Sequence, residues 1–128
     1  MIYVDSSVAL AYLLAEDRSP PASFWQGELI SSRLLEYEVW TCLHVRKLAP
    51  SHGDHARELI GRMALVELAP AVLARAIEPF AMAVRTLDAL HLASIEFLRA
   101  RGQTVELATY DQRMLAAART LAIKPAAI

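Results

Sequence analysis

The chain has 128 residues, of which 55% are hydrophobic and 21% charged, with a formal net charge of −1 and a mean hydropathy of +0.31. That composition suits one globular domain with its own hydrophobic core and excludes a disordered chain, while a single cysteine, Cys42, excludes an intramolecular disulfide and gives no basis for a Cys-based zinc site. No basic excess announces a nucleic-acid binder, although eleven of the thirteen basic residues are arginine, which suits bidentate phosphate contacts better than lysine.

The first four residues, "MIYV", read as a short buried strand, and "SSVALAYLLAED" as a helix ending before the loop "RSPP". "ASFWQGE" suits a helical turn and "LISS" a second short strand. A long helix is expected over "RLLEYEVWTCLHVRKL", stopped by a loop at "APSHGD"; "HARELIGRMA" then reads as helical and "LVELA" as a strand. Pro70 can open a helix over "AVLARAI", because the first helical position needs no N–H, and Pro79 ends it. "TLDALHLASIEFLRARG" is a helix with a glycine stop, "TVELAT" a strand, "DQRMLAAARTLA" a helix, and "IKPAAI" a tail able to add an edge strand. Short apolar strands alternating with helices are the pattern of a parallel sheet covered on both faces. The N-terminus carries neither the basic flank nor the cleavage pattern of a signal peptide, and no apolar run matches a membrane span. The expectation is a soluble cytoplasmic protein with a single domain over residues 1–128.

Acids fall at telling places. In open parallel sheets ligands bind beyond the carboxyl ends of the strands, and Asp5 and Asp111 each follow a strand. Either could instead cap the helix that follows. In the long helix, at about 100° per residue, Leu34, Val45, Cys42, Leu35 and Val39 form an apolar arc. Glu38 falls inside it and Glu36 at its far edge, near Lys47. An inward Glu38 needs a partner, a raised pKa or a cation, whereas Glu36 suits a solvated surface. Asp88 stands in the first turn of its helix, where the dipole favours an acid and Arg99 could pair with it. His91, deeper in the same apolar arc, reads as a core histidine bonded to a neighbour. Together Asp5, Glu38, Asp88 and Asp111 are a set able to hold a hard cation such as Mg²⁺ or Mn²⁺, which suits hydrolysis at phosphorus.

Four segments, "MIYVDSSVAL", "SSRLLEYEVW", "RTLDALHLAS" and "ATYDQRMLAAAR", in this order and spacing, resemble the PIN-domain family, and within it the VapC-type ribonuclease toxins of toxin–antitoxin pairs. The resemblance implies a three-layer α/β/α fold around a parallel sheet of four or five strands. It also implies Mg²⁺- or Mn²⁺-dependent endoribonuclease activity on an RNA such as tRNA or rRNA, a homodimer, and a cognate antitoxin protein. The family's acids map onto Asp5, Glu38, Asp88 and Asp111, with Ser6 and Thr109 where the family often has a hydroxyl near the metal waters. One departure is that Trp40 and Thr41 stand where family members often carry Arg.

Other features compete. His52, Asp54 and His55 in "SHGDH" could be ligands, but they fall in an expected surface loop with no zinc-site template. Phe24 and Trp25 suit a partner groove or a half-buried core. A phosphoryl-accepting α/β domain with Asp5 as nucleophile would leave Glu38 unexplained, and an inactive PIN-like binding module would not need all four acids.

Overall fold

The computed structural model describes residues 1–128. Five strands, β1 (Ile2–Val4), β2 (Leu29–Ser32), β3 (Ala64–Val66), β4 (Glu106–Ala108) and β5 (Lys124–Pro125), form one sheet in the order β3-β2-β1-β4-β5. All four neighbouring pairs are parallel. Six helices cover it: α1 (Ser6–Leu13), α2 (Leu34–Val45), α3 (Ala49–Gly61), α4 (Pro70–Ala76), α5 (Thr86–Ala100) and α6 (Gln112–Thr120). This is the expected three-layer α/β/α arrangement.

Alternation along β1 divides the core, because successive strand residues point to opposite faces. Val4 packs with Val8 of α1, Leu35, Val39 and Leu43 of α2, and Leu59 of α3. Tyr3 points the other way, among Leu92 and Ile95 of α5 and Met114 of α6. α4 packs against α5.

Several elements depart from the sequence expectation. α3 runs straight through "APSHGD". Pro50 stands in its first turn, where a missing N–H costs nothing. Gly53 lets the helix approach α2, since a Cβ there would come within 3.1 Å of the Trp40 ring. His52, Asp54 and His55 therefore stand on a helix and part company: His52 meets Ser51, Asp54 pairs with Arg57, and His55 lies against the Tyr12 ring. α1 stops at Leu13 and α6 at Thr120, each followed by an alanine in the left-handed region, Ala15 (φ 50°) and Ala122 (φ 56°). β3 is shifted one residue earlier than expected and ends at Val66.

Phe24 and Trp25 are buried, in a 3-10 turn over Ala22–Gln26, so "SFW" is core and offers no groove. On α2, Val45 is 77% exposed while Leu34, Leu35, Val39 and Leu43 are buried. The apolar face is thus rotated away from Val45, and Glu38 stands at its border instead of inside it. Glu36 pairs with Arg33, which also holds Glu67. Arg99 donates to the Leu121 carbonyl, not to Asp88. No helix is long and apolar enough to cross a membrane.

Candidate active site

The strand order fixes where a site can form. The chain steps outward from β1 to β2 and β3, then returns to the other side of β1 with β4. The crevice between the carboxyl ends of β1 and β4 is thus the topological switch point, the usual ligand site of an open parallel sheet. Asp5 leaves β1 there, and its backbone N–H donates to the carbonyl of Ala108 at the end of β4.

Asp5 is 5% exposed. Its carboxylate does not cap α1. Oδ2 instead accepts from Ser7 Oγ at 2.7 Å and Thr109 Oγ1 at 2.8 Å. Those hydroxyls are themselves oriented, since Ser7 Oγ accepts from the Tyr110 N–H and Thr109 Oγ1 from the Asp111 N–H, both at 3.0 Å. Oδ1 accepts no hydrogen bond from the protein; its nearest partner, His91 Nε2, is 4.0 Å away.

Asp111 does cap its helix. Oδ1 accepts from the N–H groups of Arg113 and Met114, at 2.9 and 3.3 Å. Its Oδ2 accepts from Arg85 Nη2 at 2.7 Å, and Arg85 Nε lies 3.3 Å from Asp88 Oδ2. Asp88 is partly buried, and burial pushes its carboxyl above the ordinary range; Arg85 opposes that, while Asp111 and Asp5 add to it.

Glu38 reaches the same crevice from α2. Oε2 accepts from Ser6 Oγ at 3.1 Å, and Oε1 is 2.5 Å from His91 Nε2. The other ring nitrogen, Nδ1, is 2.6 Å from the Tyr3 hydroxyl. Burial works against a charged His91 ring. The Glu38 carboxylate, joined by the fields of Asp5 and Asp88, outweighs burial and holds the imidazole above its usual value. Burial pushes the Tyr3 phenol far up, so it stays protonated.

Asp5, Ser6, Glu38, Arg85, Asp88 and Asp111 thus line one open pocket of about 460 Å³. The four acids stand around it with their own partners: hydroxyls for Asp5, His91 for Glu38, and Arg85 for both Asp88 and Asp111. No three His, Cys, Asp or Glu side chains are grouped as the ligands of one ion. The donor chemistry nevertheless fits a hard cation. Every acid offers carboxylate oxygen, Asp5 Oδ1 is uncommitted, and Mg²⁺ typically takes one or two carboxylates while keeping its waters. Sequence reasoning missed Ser7 and Arg85. Ser7 is two residues from Asp5, and Arg85 precedes Asp88 by the i,i+3 spacing that brings side chains together on one helix face.

No curated protein matches the chain. The family model of the PIN domain matches residues 2–120, from the first residue of β1 to the last of α6. The match takes in all four acids and both strands that bound the crevice, and on that span the chain belongs to the PIN-domain family.

Proposed function

We propose that residues 1–128 form a single PIN-like nuclease domain, a Mg²⁺- or Mn²⁺-dependent endoribonuclease that acts in the cytoplasm as the VapC-type toxin of a toxin–antitoxin pair. PIN domains are generally nucleases, commonly with a divalent metal. The observation that carries the reading is the pocket at the β1–β4 switch point, lined by Asp5, Glu38, Asp88 and Asp111.

These four acids would hold the ion, directly or through water. The chemistry supplied by a bound ion is activation of water and neutralisation of charge developing on the phosphate. The chain's own part is positioning. Thr109 and Ser7 fix the Asp5 carboxylate by one oxygen and leave the other free. Ser6 and His91 fix Glu38 from two sides. The cap on α6 fixes Asp111. Arg85, at the rim, suits an RNA phosphate by its forked geometry.

The partners proposed are RNA, a tRNA or rRNA loop being a suitable form, a second copy of the chain, and an antitoxin. A groove of about 480 Å³ opens beside the acid pocket and shares Ser6, Leu10, Glu38 and Leu87 with it. Tyr37 and Val45 are exposed on its wall. An apolar antitoxin segment seated there would be placed to send a cationic side chain toward the acids. This groove replaces "SFW" as the candidate surface. A phosphoryl-accepting domain is the weaker reading, since it gives Glu38, His91 and Arg85 no task. An inactive module is weaker too, since the pocket keeps all four acids.

The test is RNA cleavage by purified protein with Mg²⁺ or Mn²⁺, with excess chelator, and with Asp5→Asn. Cleavage confined to wild type with metal is the expected result. Cleavage that survives chelation or the Asp5 substitution refutes the reading.

A further inference from the structure

Arg85 occupies an unusual position for a cation in a pocket proposed to hold one. It is the N-cap residue of α5, three residues before Asp88. Its guanidinium joins the Oδ2 atoms of Asp88 and Asp111, acids at the starts of two different helices. Asp111 has committed Oδ1 to the N-terminus of α6. Oδ2 is thus the one Asp111 oxygen left for an ion, and Arg85 sits on it. The Arg85 side chain is 60% exposed, so packing does not hold it there. Neither acid has another charged partner.

We propose that Arg85 is a built-in counter-cation: it occupies Asp88 and Asp111 in the metal-free protein and competes with the divalent cation for them. An ion coordinated at Asp111 Oδ2 would stand beside the guanidinium, two like charges at contact distance with a strong mutual repulsion. The Arg85 arm, long and solvated, is the partner able to leave. This inference rests on the proposed metal-dependent nuclease reading. It adds that the ion's affinity is set by a competitor within the same chain.

The experiment is calorimetric titration of Mn²⁺ into the whole protein, without RNA, for wild type, Arg85→Gln, Arg85→Lys and Arg113→Gln. Arg113 lies near Arg85 at the rim of an adjoining pocket, and its side chain pairs with no acid, so its substitution makes the same charge change without removing the competitor. Arg85→Gln is expected to bind Mn²⁺ roughly three- to tenfold tighter, within the range that two partly exposed ion pairs together command. Arg85→Lys should fall between it and wild type, because an ammonium reproduces the charge and not the fork. Arg113→Gln should stay within about twofold of wild type, since it breaks no pair. Metal-free melts provide the second readout: Arg85→Gln should melt below wild type, and saturating Mn²⁺ should close the gap.

Wild-type binding with Arg85→Gln no tighter overturns the inference and leaves the metal reading standing. Equal tightening by Arg113→Gln also overturns it, since net charge then accounts for the effect. Absence of Mn²⁺ binding in every variant overturns the metal reading and the inference with it.

Discussion

His91 and Glu38 meet at 2.5 Å, Nε2 to Oε1, while the opposite nitrogen of the same ring meets the Tyr3 hydroxyl at 2.6 Å. One buried imidazole thus ties the central strand to α2 and α5. Nε2 faces Glu38 and Nδ1 faces the Tyr3 hydroxyl, so both polar atoms of the ring have a partner. Replacing His91 by Phe keeps the ring and strands two polar groups. The expected loss is about 2–4 kcal/mol, read from denaturant unfolding with chelator present; a loss below half of that would show the relay to be dispensable.

The same ring gives a sign for pH. The folded His91 pKa is raised, so its contribution is complete below the ordinary imidazole value and is lost as pH rises through the folded one. In metal-free protein, stability should fall as pH rises through that window. His91→Gln should flatten the fall. An unchanged slope in the variant would assign it to another group.

Asp88 acts in the same direction. Its carboxyl is held above the ordinary range by burial even with Arg85 alongside. The folded state therefore binds the proton more tightly than the unfolded chain does. The charged form costs stability above the folded pKa, and that cost fades as pH falls. Metal-free Asp88→Asn is expected to melt higher than wild type at neutral pH. Mg²⁺ or Mn²⁺ should raise the wild-type melting temperature clearly and the variant's much less. A variant that melts lower without metal, beside a wild type indifferent to metal, would leave Asp88 as a helix-terminal acid and no more.

Thr109→Val removes the hydroxyl that donates to Asp5 Oδ2 and accepts from the Asp111 N–H, at nearly constant shape. Both losses fall at a buried position. A cost of about 1–3 kcal/mol is expected, with cleavage reduced beyond what the unfolded fraction explains. Asp5→Asn keeps the volume and should reduce cleavage by about two to three orders of magnitude, the scale of losing one preorganised electrostatic group. Circular dichroism and RNA cleavage, measured on the same samples, separate the two effects.

Ala122 holds φ at 56° in an exposed turn after α6. A Cβ in that conformation costs roughly 1–2 kcal/mol, part of which glycine returns as unfolded-state freedom. Ala122→Gly should therefore raise the melting temperature by about 2–6 °C. A lower melting temperature would mean that the turn does not carry that strain.

The sheet was legible because its strands are short apolar runs separated by helical patterns, with an acid directly after "MIYV" and two residues after "TVELAT". Helix ends were legible only where a residue marks them. Gly102, at φ 85°, stops α5 as its position indicates. Ala15 and Ala122 do the same task with no mark in the sequence, so the residue pattern alone overextends α1 and α6. Pro50 and Gly53 misled in the opposite sense: one suits a first helical turn, and the other is needed by a ring twelve or more residues away in sequence. At the pocket, types and spacing pointed to the four acids. They could not show which neighbours satisfy those acids, because Arg85, His91 and Ser7 are assigned by side-chain direction, and a wheel that counts Val45 as core turns Glu38 too far inward.

Asp5 and Thr109 bond to one another across 104 residues of chain, and β4 is the last strand to flank β1. At a synthesis rate of ~5–20 residues per second, the ribosome spends roughly 5–20 s between making the two. Through that interval the central strand has only one of its neighbours, and Asp5 lacks its threonine donor. A nascent or truncated chain ending before β4 has Asp5, Glu38 and Asp88 in its sequence but no crevice to gather them. The two walls of the pocket, the carboxyl ends of β1 and β4, therefore come together only once the order β3-β2-β1-β4 has closed.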